Sequence, residues 1–358
     1  MRKRLRELGI TIGDLPTGPH NAITDVPGVW VGHTTVVADE PQTVRTGVTV
    51  ILPRGERILH EQCFAGYFSF NGNGEMTGMH WLEESGLLGS PIALTNTNQV
   101  GVVRDALVAH ELAQSPEADW LLPVVAETAD TWLSDPRAFA LTKEHLFQAL
   151  AAARPGPVPE GNVGGGTGMI CHAFKGGIGT ASRQVAVSGR VYTVGLLVQA
   201  NYGRREHLRV DGVPVGRLIP TTEVPSPWEQ PVSDGSIIVI VATDAPLLPV
   251  QCKRLARRAT AGLARVGGYG HNSSGDLFLA FATGNVIPLD PSMPVQVQML
   301  PNQQLNGLFN AVVEGVEEAI LNALTAAETM QGYAGHTAHA LPLDRLVEIM
   351  AAHGSRLA

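Results

Sequence analysis

Residues 232–246, VSDGSIIVIVATDAP, set polar turn residues directly against an unbroken apolar run. Ile237, Ile238, Val239, Ile240 and Val241 leave no polar position between them, so they predict a strand covered on both faces. Such a strand belongs in the middle of a layered protein. Starting it does not require the small hydroxyl at its mouth, Ser236.

Working outward, further β-rich runs lie at Val29–Val37, Gly47–Leu52, Ile92–Asn96, Gly168–Phe174, Val191–Gln199 and Leu277–Thr283. Three helices are predicted. One spans 100–115. A second runs from Pro246 to Val266, with Asp244 as N-cap, Pro246 and Pro249 in its first turn, and Gly267-Gly268 ending it. A third starts near Asn302, its apolar stripe running from Leu305 to Leu324 with Glu314, Glu317 and Glu318 off the stripe. Strands and long amphipathic helices intermixed along one chain predict layered α/β or α+β packing. No internal repeat is visible. The stretch 203–235 is rich in proline and charge and reads as a long connector, ending where the Ser236 strand begins.

The chain has 358 residues, enough for a large core; only 16% are charged, against roughly 25% in ordinary soluble chains. Forty glycines point the same way, toward tight layers and surface buried between subunits. A net charge of −8 argues against nucleic-acid binding. The basic cluster Lys253, Arg254, Arg257 and Arg258 recurs at helical spacing and reads as a solvated helix face. Three scattered cysteines, Cys63, Cys171 and Cys252, provide no disulfide framework and suit a reducing compartment. With no apolar signal region and no run of about 18 apolar residues, the expectation is a cytoplasmic protein that makes no membrane contact.

Ser236 can be read as a nucleophile, but a serine hydroxyl needs a base, and no G-x-S-x-G elbow surrounds it. Breaking the Gly235–Ser236 bond would create one: an α-amine with an ordinary pKa of about 7.7–8 on the same residue. Gly235 favours such a break because it has no Cβ to block its carbonyl. Taken alone, these residues read more simply as a turn leading into a strand.

The same ambiguity holds elsewhere. Ser274 and Asp276 precede the strand LFLAFAT, as a catalytic pair or as turn residues. Asn201 ends VYTVGLLVQAN, as an oxyanion-hole amide or a strand terminator. Glu127 in PVVAETADTWLSD is a candidate for a substrate ammonium, or a surface carboxylate. The loop EGNVGGGTGM (160–169) lacks the pattern of a phosphate-binding loop and reads as a tight turn or close backbone approach. His110-Glu111 and Cys171-His172 lack the companions a metal needs, so neither metal nor cofactor is expected.

The ordered set GITIGDLPTGPHNAITDVPGVWVGH, GNGEMTG, LTNTNQVG, PEGNVGGGTGM, VQANYG, DGSIIVIVATDAP, SGDLFLAFATGN and GHTAHALPLDRL resembles the DmpA-like family along nearly the whole chain. That family comprises L-aminopeptidase D-esterase/D-amidases and β-peptidyl aminopeptidases. The resemblance implies one catalytic domain that cuts itself into an α chain (1–235) and a β chain (236–358). It implies a four-layer αββα sandwich, two sheets between helical layers, related in topology to ornithine acetyltransferase, and homotetramers of αβ units. By position, Ser236 is the implied nucleophile and Asn201 the oxyanion amide. Ser274 and Asp276 organise the nucleophile and its amine, and Glu127 holds the substrate's amino group.

Two positions depart from the pattern. Asp276 stands where relatives often carry Glu, and Ala129 where the enzyme with D-amidase activity has a tyrosine. The implied function is hydrolysis of short peptides, amides or esters bearing a free N-terminal amine. The alternatives are a self-cleaving acyltransferase of the ornithine acetyltransferase kind, whose nucleophile is typically Thr, and an uncleaved binding protein on the same scaffold.

Overall fold

A computed structural model describes residues 2–115, 119–228, 235–289 and 292–354. Its frame is two sheets. The smaller has the order β1 (Trp30–Ala38), β2 (Val44–Glu56), β5 (Ile92–Asn96), β6 (Val124–Thr128). The larger runs β4 (Leu87–Leu88), β3 (Glu61–Gly72), β10 (Ser274–Pro288), β9 (Gly235–Thr243), β8 (Arg190–Asn201), β7 (Gly177–Val187). Pairing is antiparallel except between β5 and β6 and between β9 and β10.

The apolar run at 237–241 is a central strand, as its composition demands. Ile237, Val239 and Val241 pack among residues of helices α3 (Pro249–Val266) and α4 (Asn306–Ala326). Ile238 and Ile240 face the other way, among Ile51, Ile92, Leu94 and Ala126 of the smaller sheet. All five are fully buried. At about 1.5–3 kcal/mol for each side chain withdrawn from water, this strand is a principal contributor to the core. Helices α1 (Val100–Gln114) and α2 (Lys143–Ala151) pack on the smaller sheet. The glycine excess serves these close layers: a Cβ on Gly179 of β7 would lie 2.9 Å from Ala323 Cβ of α4. No helix among the described residues is long and apolar enough to cross a membrane.

Several expectations are corrected. Gly168–Phe174 is not one strand but a hairpin of Ile170–Cys171 and Phe174–Lys175, turned by His172 and Ala173 at φ 51° and 56°. Helix α3 starts at Pro249 rather than Pro246; Asp244 instead accepts the Thr193 N–H at 2.7 Å. Glu317 and Glu318, off the apolar stripe, are nevertheless fully buried. Glu318 Oε2 accepts from Arg183 at 2.6 Å and its Oε1 from Arg6 at 2.8 Å, while Glu317 pairs with Arg265. The basic face of α3 is partly engaged: Lys253 pairs with Glu83, and the Arg258 guanidinium lies 4.0 Å over the Phe309 ring. Much of the expected connector packs firmly, with Leu208, Val210, Val215 and Ile219 fully buried, while its residues 229–234 lie outside the described residues. The three cysteines are free and buried.

Candidate active site

Where β8 ends and β9 begins, the two sheets part around a cavity of about 540 Å³. Ser236, Asn201, Glu127, Thr97, Trp132 and Trp228 are among the residues that line it. Ser236 shares its strand face with Ile238 and Ile240, so its hydroxyl belongs to the face turned toward the smaller sheet. Asn201 is its direct antiparallel partner and lies on the same face.

The Asn201 amide is oriented by two backbone bonds. Its Oδ1 accepts the Ile170 N–H at 2.8 Å, and its Nδ2 donates to the Ala129 carbonyl at 2.9 Å. An amide nitrogen carries two protons, so one N–H is left beyond the Ala129 bond. A fixed neutral donor beside a serine hydroxyl is what a developing oxyanion requires.

Glu127, at the C-terminal end of β6, is buried rather than on the surface. Its Oε1 accepts the Glu75 N–H at 2.8 Å, and its Oε2 accepts the Thr97 hydroxyl. Burial raises its pKa above the ordinary carboxylate range, against the pull of those two bonds. A buried carboxylate that, among the described residues, forms no ion pair and faces a cavity is suited to receive an ammonium group.

Ser274 and Asp276 are brought to the same strand end but not to the same side. Phe278 and Ala280, in phase with them, belong to the helix-side core, whereas Leu277 and Leu279 face the smaller sheet. The pair therefore lies on the sheet face opposite the Ser236 hydroxyl. In parallel register Gly235 partners Ser274 and Ser236 partners Gly275, which puts the pair beside the backbone of residues 235–236. Ser274 Oγ donates to Asp276 Oδ1 at 2.7 Å. Burial raises the Asp276 pKa to about 6, with the Ser274 bond opposing the rise. A second, water-sized space of about 20 Å³ is lined by Gly235, Ser274, Asp276 and Tyr202.

Gly235 borders both spaces. A Cβ there would lie 2.8 Å from Tyr202 Cα and 2.9 Å from the Asn201 carbonyl oxygen, so any side chain would force the neighbouring strand aside. The glycine loop meets its expectation of close approach: Gly164–Gly166 form a buried 3₁₀ turn, and Gly168 lines the main cavity.

Thr97, Trp132 and Trp228 were not expected at the site. Trp132 stacks on His336 with ring centroids 3.8 Å apart and planes 6° from parallel, and the Trp228 centroid is 6.1 Å away. Their joining depends on chain separations that carry no local pattern; for Thr97 the only signal was the LTNTNQVG motif itself.

A sequence profile of peptidase family S58 matches residues 21–338. The chain is 46% identical to a β-peptidyl aminopeptidase of Sphingosinicella microcystinivorans over 97% of its own length and 91% of that protein's. Among solved structures, a Burkholderia β-aminopeptidase superposes with a TM-score of 0.92 at 51% identity, covering 98% of this chain and 99% of the other. The L-aminopeptidase D-Ala-esterase/amidase of Ochrobactrum anthropi, described as a prototype for the serine aminopeptidases and a variant of the Ntn-hydrolase fold, superposes at 0.91 with 43% identity, covering 99% of both chains.

Proposed function

The chain belongs to peptidase family S58, and we propose from this premise that it is an N-terminal-serine aminopeptidase that activates itself by cutting Gly235–Ser236. The observation carrying the proposal is the division of the strand end into two faces. The Ser236 hydroxyl shares the main cavity with Asn201 and Glu127, and the Ser274–Asp276 pair lies behind, beside the backbone of residues 235–236.

In the intact chain the nitrogen of residue 236 is an amide and cannot act as a base. Attack of Ser236 Oγ on the Gly235 carbonyl carbon, with breakage of the peptide bond and delivery of the Oγ proton to the departing nitrogen, gives an ester and frees the α-amine. Water then hydrolyses the ester, leaving Gly235 with a carboxylate and Ser236 as a new N-terminus. Asp276, ionised at neutral pH, holds and orients that amine. In turnover the amine takes the proton of Ser236 Oγ as the oxygen attacks the substrate carbonyl, and Asn201 Nδ2 donates to the oxyanion. The proton passes to the leaving amine, and water resolves the acyl-enzyme.

Glu127 selects substrates with a free amine. Because charge-assisted bonds contribute about 1.5–3 kcal/mol, Glu127→Gln is expected to lower kcat/KM by roughly 10- to 100-fold. The loss should be absent for an N-acetylated substrate, which wild type is expected to hydrolyse poorly. Equal losses on both substrates would remove Glu127 from amine recognition.

The substrate class proposed is N-terminal β-amino-acyl peptides and amides alongside small L-amino-acyl ones. Support comes from the relatives named for β-peptides and from the small Ala129 beside Asn201, which leaves room for a longer acyl backbone. Turnover of β-homoalanyl and L-alanyl p-nitroanilides tests this; activity confined to the L-substrate would refute it.

Self-cleavage of precursor made by cell-free synthesis should slow as pH falls through about 6, because protonating Asp276 removes the negative charge that favours the nitrogen of residue 236 as it gains a proton and leaves as an amine. In Asp276→Asn that acid limb should vanish, leaving a uniformly slow cut. Persistence of the same limb in the variant would assign it elsewhere.

The proposal extends to architecture and assembly. Helices on the outer face of each sheet support the αββα layering. Exposed Met293, Val295, Val297 and Met299 supply apolar surface that a tetramer of αβ units would cover.

A further inference from the structure

Lys175 is fully buried, and among the described residues no carboxylate pairs with it. Its Nζ donates instead to three backbone carbonyls: Met169 at 2.7 Å, Gly176 at 2.8 Å and Gly166 at 3.3 Å. An ammonium has three protons, and all are used. A buried cation without a counterion is costly, and an apolar side chain would fill the space without that cost. What the lysine does that an apolar residue cannot is gather carbonyls from both sides of one loop.

That loop leads straight to the oxyanion donor. Met169 precedes Ile170, whose N–H holds Asn201 Oδ1, and Ile170 is the cross-strand partner of Lys175 itself. The hairpin joining them turns through His172 and Ala173 at positive φ, a strained conformation for residues with side chains. It is clamped in place. The His172 N–H donates to the Tyr202 carbonyl at 2.7 Å, Arg205 Nη2 donates to the Ala173 carbonyl at 2.6 Å, and the Arg205 guanidinium lies 3.7 Å over the Phe174 ring. Strain held this firmly marks a built feature.

We infer that Lys175 is the positioning residue of the oxyanion donor, tying the loop 166–169 and Ile170 into the one arrangement that aims the Asn201 amide at the cavity. This rests on reading Asn201 as that donor. Lys175 touches no substrate and acts through Asn201. Burial lowers its pKa from the ordinary lysine range to about 7.

The test is a mutant cycle of Lys175→Met, Asn201→Ala and the double variant, with turnover counted per two-fragment molecule. Removing an oxyanion donor outright costs about 100- to 1000-fold, so misaiming one should cost less; Lys175→Met is expected to lower kcat about 10- to 50-fold and to change KM less than about threefold. Because Lys175 acts through Asn201, the double variant should be no more than about twofold slower than Asn201→Ala alone. Lys175→Gln, which keeps two donors, should recover part of the loss. A folded Lys175→Met with wild-type kcat, or losses that multiply in the double variant, would overturn the inference. Failure of both the Met and Gln variants to fold would also overturn it, by making Lys175 a residue of the fold alone. A normal rate in Asn201→Ala would defeat the underlying reading instead, which separates the two failures.

Discussion

Ser236→Ala is expected to remain a single uncut polypeptide and to lose turnover by on the order of 10⁵-fold or more, the scale seen when a serine hydrolase loses its nucleophile. The effect is this large because one atom is used twice. Without Oγ nothing attacks the Gly235 carbonyl, so the peptide bond persists; because it persists, the nitrogen of residue 236 never becomes an amine. The variant thus lacks nucleophile and base together. The fold should be untouched, since Ser236 lies at the end of a strand whose stability comes from Ile237 to Val241, all fully buried. Intact mass and the thermal unfolding midpoint, measured beside wild type, check this. Wild type should give two fragments and the variant one, at similar midpoints. Ser236→Cys, which keeps a nucleophile, should still cut. An active wild type that is itself a single chain would refute self-activation.

Asn201→Ala is expected to fold and to lose about 100- to 1000-fold in kcat, with KM changed little. The argument is geometric. Both bonds that fix the amide, from Ile170 N–H and to the Ala129 carbonyl, are made before any substrate arrives. The remaining N–H is therefore aimed in advance, and its interaction strengthens only as negative charge develops on the carbonyl oxygen. An interaction made chiefly in the transition state lowers kcat when removed and leaves KM almost unchanged. Self-cleavage passes through a similar oxyanion at Gly235, so fragments should appear more slowly by a comparable factor. A large rise in KM with normal kcat would make Asn201 a substrate-binding residue instead.

Much of this was legible in the sequence. An unbroken run of β-branched residues must be covered on both faces, and 237–241 is. Ser236, Asn201 and Glu127 each sit at a strand end, where a side chain can be held rigidly and still reach a cavity. What escaped local reading had distant causes. The strand 177–187 carries Thr180, Ser182 and Arg183, too polar to read as buried, yet these are buried because Arg183 meets Glu318 from 135 residues away. The burial of Glu317 and Glu318 escapes local reading for the same reason, since a charge pattern along a helix does not reveal its partners.

The sequence by itself nominated the candidate site residues, through an ordered set of motifs, and determined that the protein is layered, because strand and helix periodicity are local properties. Only the tertiary structure decided that Ser236 and the Ser274–Asp276 pair occupy opposite faces of one sheet. Side-chain direction in a sheet follows from pairing register, and the parallel register of β9 against β10 is set across the intervening helix α3, which no local pattern fixes.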